Sequence, residues 1–227
     1  MNHFAILISF LRNRFQFLEE IHKGNRLETK IFSLLICSAV FLAIYGAIIG
    51  SSQSWLQMLS SALKLPALYL LTLIICLPTL YFFDIVSGSR FSFIQYIALL
   101  LASLSMISVM LFGFAPVSLF FRLSSNDYFF FQLLNITIFA ITGFIGINFF
   151  YHSVINIPFQ NDEIPKNRKN IIRGWLVLFA FVGSQLGWTL RPFFGSPGQP
   201  FALFRDIESN FYIQLFRIIG RVLGFNS

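Results

Sequence analysis

Long runs of apolar residues, separated by short polar stretches, dominate the pattern of this 227-residue chain. A helix that crosses the hydrocarbon core of a bilayer needs about 20 mainly apolar residues. Five runs meet this length and predict transmembrane helices at about 31–50, 66–86, 93–114, 129–151 and 171–190. The predicted fold is therefore all-α, an integral membrane bundle of about five transmembrane helices. The third run can be extended to Phe121, so a chain with six crossings is the alternative.

The N-terminal residues 1–30 form the first predicted region. Apolar side chains recur there at helical spacing, as expected for an amphipathic helix; they are Phe4, Leu7, Leu11, Phe15 and Leu18. Such a helix lies at the membrane interface or packs on a cytoplasmic partner. Residues 31–194 form the predicted transmembrane bundle.

Two further segments are apolar but too short or too charged to cross. Trp55, Leu56, Leu59 and Leu63 predict a short amphipathic helix that rests on the bilayer surface between the first two spans. Residues 195–227 form the third predicted region, a turn rich in Gly and Pro followed by an amphipathic interfacial helix. Two arginines within that last helix favour a position on the membrane over a crossing.

Composition supports a membrane environment, because 56% of the residues are hydrophobic and only 11% are charged. Soluble domains carry about 25% charged residues, and the mean hydropathy here is +0.75. These values exclude a soluble enzyme, a disordered protein and a disulfide scaffold. Cys37 and Cys76 lie inside apolar runs, where isolated thiols are usually packing residues.

The distribution of Lys and Arg predicts the orientation, because cytoplasmic ends carry more of them. One side holds ten: Arg12, Arg14, Lys23, Arg26, Lys30, Arg90, Lys166, Arg168, Lys169 and Arg173. The other side holds six: Lys64, Arg122, Arg191, Arg205, Arg217 and Arg221. The N-terminus is therefore predicted to be cytoplasmic. The net charge of +7 is spread along the chain, which favours contact with anionic lipid over nucleic acid.

Small residues on transmembrane helices indicate close helix contacts. Gly46 and Gly50 form one G-x-x-x-G pair, and Gly183 and Gly187 form a second. We interpret both as packing surfaces within the bundle; homodimerisation through the first span is the alternative.

No catalytic, cofactor or metal-binding pattern is visible in the sequence, so the predicted function is non-enzymatic. The deepest polar residues are Asn135 and Gln185, which predict interhelical hydrogen bonds or, alternatively, a polar path for a solute. Asp84 and Arg90 bracket the end of the second span, and we expect them to be solvated or paired with each other.

Six residues form the candidate surface for lipid or protein partners. Trp residues at headgroup level and arginines that reach lipid phosphates are typical of such surfaces. The candidates are Trp188, Arg191, Arg205, Trp55, Arg12 and Arg14.

The motifs Ser61-x-x-Lys64-x-Pro66 and Gly187-Trp-x-Leu-Arg-Pro-Phe193 resemble a group of bacterial, notably cyanobacterial, multi-pass membrane proteins of unassigned function. The resemblance implies a bacterial plasma or internal membrane and no catalytic residue. Such chains are sometimes named after the actin-binding WASP-homology-2 motif. Residues 26–29 match that motif poorly, with an acid in place of a lysine, and do not support actin binding. The five-span layout also looks distantly like that of the Yip family of trafficking proteins.

Two functions compete. The first is a scaffold, assembly or membrane-organising factor, with the lipid bilayer, other membrane proteins or a second copy as partners. The second is a transporter or channel subunit for a neutral or weakly polar solute.

Overall fold

The computed structural model describes residues 3–89, 91–125, 127–155, 166–194, 201–204 and 211–222, and these contain helices and no strands. The helices follow each other as α1 His3–Arg12, α2 Arg14–His22, α3 Leu27–Gly50, α4 Trp55–Val86, α5 Phe93–Ser124, α6 Tyr128–Ile155, α7 Lys166–Thr189 and α8 Phe211–Val222. The all-α prediction is confirmed.

Five helices, α3 to α7, are long and apolar enough to cross a membrane, as in a multi-pass membrane protein. Successive crossings run in opposite directions, so the starts of α3, α5 and α7 share one side with the end of α4. We call this the N-terminal side and the other the opposite side. At 32 residues, α4 and α5 are each about 48 Å long, which exceeds the roughly 30 Å hydrocarbon core.

The separate surface helix expected between the first two spans is a wrong prediction. Residues 55–64 are the first part of α4, which continues without interruption through Pro66. The reason is that this part has a buried polar face, formed by Gln57, Ser61 and Lys64, which packs against the rest of the protein. Its apolar residues instead point outward, with Trp55 and Leu63 exposed.

The N-terminal region also differs from the single amphipathic helix that the spacing predicts. Asn13 separates α1 from α2, and its side chain accepts a hydrogen bond from the Gln16 backbone N–H at 3.3 Å as the cap of α2. Each helix buries part of its apolar surface in the bundle: Leu7 and Phe10 from α1, and Phe17 and Ile21 from α2. The first span begins at Leu27, not near residue 31.

The core is built around α5, whose middle is buried on most sides and packs against α3 and α6. Between α3 and α4 the backbones approach closely at Gly46 and Gly50. A Cβ on Gly50 would lie 2.6 Å from the Gln57 carbonyl oxygen, and one on Gly46 would lie 2.9 Å from the Ser61 carbonyl carbon. Glycine is required at both positions, because α4 occupies the space that a side chain would need.

Candidate functional site

A polar cluster lies on the opposite side of the bundle, where the turn between α3 and α4 meets the chain that follows α7. We call it the carbonyl cluster, and it consists of Ser52, Gln57, Ser61 and Lys64 together with the backbone carbonyls of Pro192, Phe193, Phe194 and Leu203. The segment after α7 leaves its own carbonyls without helical partners. The side chains of α4 and of the preceding turn supply these partners.

Three α4 side chains reach the cluster because positions 57, 61 and 64 lie on one helix face. The Gln57 amide donates to the Pro192 carbonyl at 2.7 Å and to the Ser61 hydroxyl at 3.1 Å. The Ser61 hydroxyl donates to the Phe193 carbonyl at 2.5 Å. Residues 192–193 are therefore fixed to α4 by side chains that are themselves fully buried.

Lys64 brings a positive charge into this buried cluster, with only 7% of its surface exposed. Its ammonium donates to the Leu203 carbonyl and, at 3.4 Å, to the Pro192 carbonyl. It also lies 4.8 Å from the centre of the Phe204 ring, a cation–π distance. Within the described residues, its charge is balanced by carbonyl dipoles and an aromatic ring, without a carboxylate.

Arg122 joins α5 to the same side. Its guanidinium donates to the carbonyls of Ser51 (3.4 Å) and Ser52 (3.2 Å), which lie just past the C-terminus of α3. A cation is favourable there because a helix C-terminus carries partial negative charge. Ser52 in turn donates to the Phe194 carbonyl, so the ends of α3, α5 and α7 are linked.

Two polar atoms on the buried face of α4 have no hydrogen-bond partner among the described residues, the Gln57 side-chain oxygen and the Ser60 hydroxyl. A buried polar atom without a partner often marks the position of an ordered water. The carbonyl cluster therefore has hydrogen-bonding capacity left over.

The N-terminal side holds a second polar cluster, centred on a buried ion pair. Arg168 on α7 donates from its Nε to Asp84 at 2.7 Å and from a terminal nitrogen at 3.0 Å. Tyr96 on α5 donates to the same carboxylate, and its hydroxyl lies 2.7 Å from the Ser89 hydroxyl. The expectation that Asp84 is solvated is wrong, since its exposure is 0%. Arg90, the residue expected to pair with Asp84, lies outside the described residues.

The acidic residues of α2 also form ion pairs. Lys23 pairs with Glu19 at 2.6 Å, and Lys30 pairs with Glu20 at 2.7 Å. His22 is half-buried against Phe91, and burial lowers its pKa below the ordinary value of 6.5. Its Nδ1 lies 2.6 Å from the Leu18 carbonyl.

The candidate partner surface is divided between the two sides of the protein. Trp55 is exposed, and Arg191 lies over the Trp188 ring at 3.9 Å, both on the opposite side. Arg12 and Arg14 are exposed at the N-terminal side, on either end of Asn13. Arg205 lies outside the described residues.

The two deep polar candidates have different surroundings. Asn135 is fully buried, and its side-chain oxygen accepts from Tyr45 at 2.7 Å and from Ser118 at 2.6 Å. Its amide donates to the Phe131 carbonyl at 2.8 Å, so Asn135 joins α3, α5 and α6. Gln185 lies on α7 and is half-buried.

The second glycine pair packs more loosely than the first. A Cβ on Gly183 would lie 3.6 Å from the Thr72 side chain, and one on Gly187 would lie 3.8 Å from Leu68. Both are ordinary van der Waals distances. The pair faces α4, but alanine fits at either position.

A small apolar crevice of about 30 Å³ lies between α4, α5, α6 and α7. Tyr69, Ile107, Phe150 and Trp175 are among its lining residues. This space is sufficient for a water molecule.

The sequence reasoning missed the importance of Gln57, Ser61 and Lys64. The signal was present, because Gln57, Ser61 and Lys64 precede Pro66 at helical spacing in a mainly apolar run. The apolar pattern around these residues predicts a surface segment, because the predicted second span begins only at Pro66. The Arg168 partner of Asp84 lies 84 positions away, and no local pattern connects the two.

Comparisons with known proteins find no relative. No family model matches the chain, and neither a curated protein nor a solved structure matches it. The resemblance to the cyanobacterial membrane proteins therefore stays a prediction from the two motifs that carry it.

Proposed function

We propose that this multi-pass membrane protein is a non-enzymatic scaffold, assembly or membrane-organising factor that acts through contacts with lipid and with other proteins. The proposal places the N-terminus in the cytoplasm and the protein in a bacterial plasma or internal membrane. Actin and nucleic acid are not among its proposed partners.

The observation that carries the proposal is the pair of short helices attached to the outside of the bundle. Helix α1 buries Leu7 and Phe10 but leaves Phe4 and Ile8 about half exposed. Helix α8 buries Ile218 and leaves Tyr212 and Phe216 exposed. Each helix thus has one apolar edge in the bundle and another directed outward, where lipid or a partner helix can cover it.

The interior of the bundle supports the same proposal. Asn135 uses its oxygen and its amide in bonds that hold three helices together. The carbonyl cluster and the Asp84–Arg168 pair fix α4 to the chain around α7 on both sides. This interior suits a rigid support that presents its outer surface to partners.

The test is co-purification of the full chain from its native membrane in mild detergent after chemical cross-linking. Replacing Phe4, Ile8 and Phe15 by Ser should remove partner proteins that the wild type retains, because Phe4 and Ile8 form the outward edge of α1 and Phe15 is exposed on the adjoining α2. The matched control replaces Ile74, Val177 and Phe181, which are exposed on the spans themselves. Identical partners in the wild type and in this triple variant would contradict the proposal.

A transporter or channel subunit is the second candidate, and one observation favours it. The contacts between α4 and the α7 region are charged and buried on both sides of the membrane, with the apolar crevice between them. Buried charges in membrane proteins often accompany transport. Solute flux in proteoliposomes that is lost in Asp84→Asn and Lys64→Met, but kept in Asn135→Leu, would favour this candidate.

A further inference from the structure

We propose that the elbow between α1 and α2, consisting of Arg12, Asn13 and Arg14, binds the phosphate of an anionic phospholipid in the leaflet at the N-terminal side. This inference deepens the proposed function and rests on it.

Contacts with two transmembrane helices fix the depth of α1. The His3 ring nitrogen Nδ1 lies 2.9 Å from the Ser33 hydroxyl on α3, three residues further into the membrane than Lys30. The Phe10 ring lies 5.7 Å from the ring of Phe149, six residues before the end of α6. Ser33 and Phe149 each lie six residues inside the end of their helix, so at 1.5 Å per residue α1 lies about 9 Å inside the ends of α3 and α6. This is the depth at which interfacial helices bury their apolar face.

The charges at this side leave the elbow complementary to an anion. Arg12 is the last residue of α1 and Arg14 the first of α2, and both are exposed. Residues 1–18 contain no Asp or Glu. The neighbouring acids Glu19 and Glu20 pair with Lys23 and Lys30.

Within the described residues, neither Arg12 nor Arg14 forms an ion pair or a side-chain hydrogen bond. The guanidinium group matches phosphate oxygens in geometry as well as in charge. Two guanidinium groups on either end of Asn13 therefore fit one lipid phosphate.

An apolar edge that starts beside the elbow and extends to the other end of α1 selects a lipid over a soluble anion. Phe15 follows Arg14 directly and is 59% exposed, while Phe4 on α1 is 54% exposed. Phe32 on α3 lies next to His3 and is also exposed, so the edge continues onto the lipid-facing surface of the bundle. A bound phospholipid places its phosphate at the arginines and its acyl chains along these rings.

The test measures binding of phosphatidylglycerol and of phosphatidylcholine to the full chain in a nonionic detergent by native mass spectrometry. The wild type should bind phosphatidylglycerol more tightly, and this binding should weaken between 50 and 500 mM salt. In Arg12→Gln/Arg14→Gln the phosphatidylglycerol affinity should fall at least fivefold, since one arginine near an anionic surface contributes about fivefold. Phosphatidylcholine binding should be unchanged and reports that the variant is folded.

The matched control is Arg26→Gln/Lys169→Gln, which removes the same charge from the same side without separating an ion pair and should change the affinity less than twofold. An equal loss in both variants would assign the effect to net charge, and no loss in the first would exclude the elbow. Inorganic phosphate should not displace the lipid; full displacement would assign a soluble anion and overturn the proposal. These lipid affinities do not depend on partner retention, so the proposed function can fail separately.

Discussion

The buried ion pair between Asp84 and Arg168 gives the sharpest test of how the helices are held together. Both side chains are inaccessible, at 0% for Asp84 and 4% for Arg168, and two hydrogen bonds join them. Asp84→Asn keeps the shape of the side chain but removes its negative charge. Arg168 then keeps its positive charge in a buried site without the carboxylate that balances it.

The expected cost is about 3–5 kcal/mol of unfolding free energy, the usual effect of removing one member of a buried pair. Tyr96 also loses part of its bond, because a neutral amide accepts a hydrogen bond less strongly than a carboxylate. The assay is reversible unfolding in mixed detergent micelles, followed by circular dichroism. Glu28→Gln is the control, because Glu28 is exposed at the start of α3 and should contribute less than about 1 kcal/mol.

The double variant Asp84→Leu/Arg168→Met separates the charge from the packing. Replacing both members of a buried pair by apolar residues is often close to neutral, so the double variant should be more stable than Asp84→Asn. The reasoning is refuted if Asp84→Asn costs less than about 1 kcal/mol. It is also refuted if the double variant is less stable than the single one.

Three further predictions concern other contacts. Gly46→Ala should lower the free energy of unfolding by about 1–3 kcal/mol, because the added Cβ would overlap the α4 backbone. Gly187→Ala should change it by less than about 0.5 kcal/mol in the same unfolding assay, because the Cβ fits there. Lys64→Met should speed hydrogen exchange at residues 190–194 and 201–204 by about tenfold, since the Leu203 carbonyl loses its charged donor; rates equal to wild type would contradict this. Burial lowers the pKa of His22, so on acidification the unfolded chain binds a proton at this residue before the folded protein does. The free energy of unfolding should therefore fall as the pH drops below about 6.5. His22→Gln should remove part of this fall in a series of melting experiments from pH 8 to 5.

The spans were predictable because lipid imposes a strict requirement on length and apolar character. Four of the five predicted runs lie within one of the helices α3 to α6, and the fifth, 171–190, ends one residue beyond α7. The helices begin or end up to eleven residues beyond the predicted runs, as at Trp55 of α4. The largest error concerns α4, because the predicted second span begins at Pro66 whereas the helix already begins at Trp55. Proline removes one backbone donor, and a membrane helix continues through it when neighbouring groups compensate.

The partners of the polar residues were not predictable from local pattern. Asn135 was recognised as deep, but its bonds to Tyr45 and Ser118 come from helices 90 and 17 positions away. The carbonyls of residues 192–194 are backbone groups, which every residue has, so their role depends only on where the chain is placed. Packing between distant parts of the chain determines the partners of Asn135 and the role of these carbonyls. Such packing cannot be inferred from the local pattern of a single sequence.

The two buried charges on α4 also set the position of the protein in the bilayer. Lys64 and Asp84 are twenty residues apart, which is about 30 Å along a helix and matches the thickness of the hydrocarbon core. Residues 65–83 between them contain no charged side chain. Each charge is held from a different part of the chain, Lys64 by Pro192 and Leu203 and Asp84 by Arg168. Sliding α4 along its axis would move one of these charges into the hydrocarbon and break its contacts at the same time. The bundle therefore has one favoured depth in the bilayer.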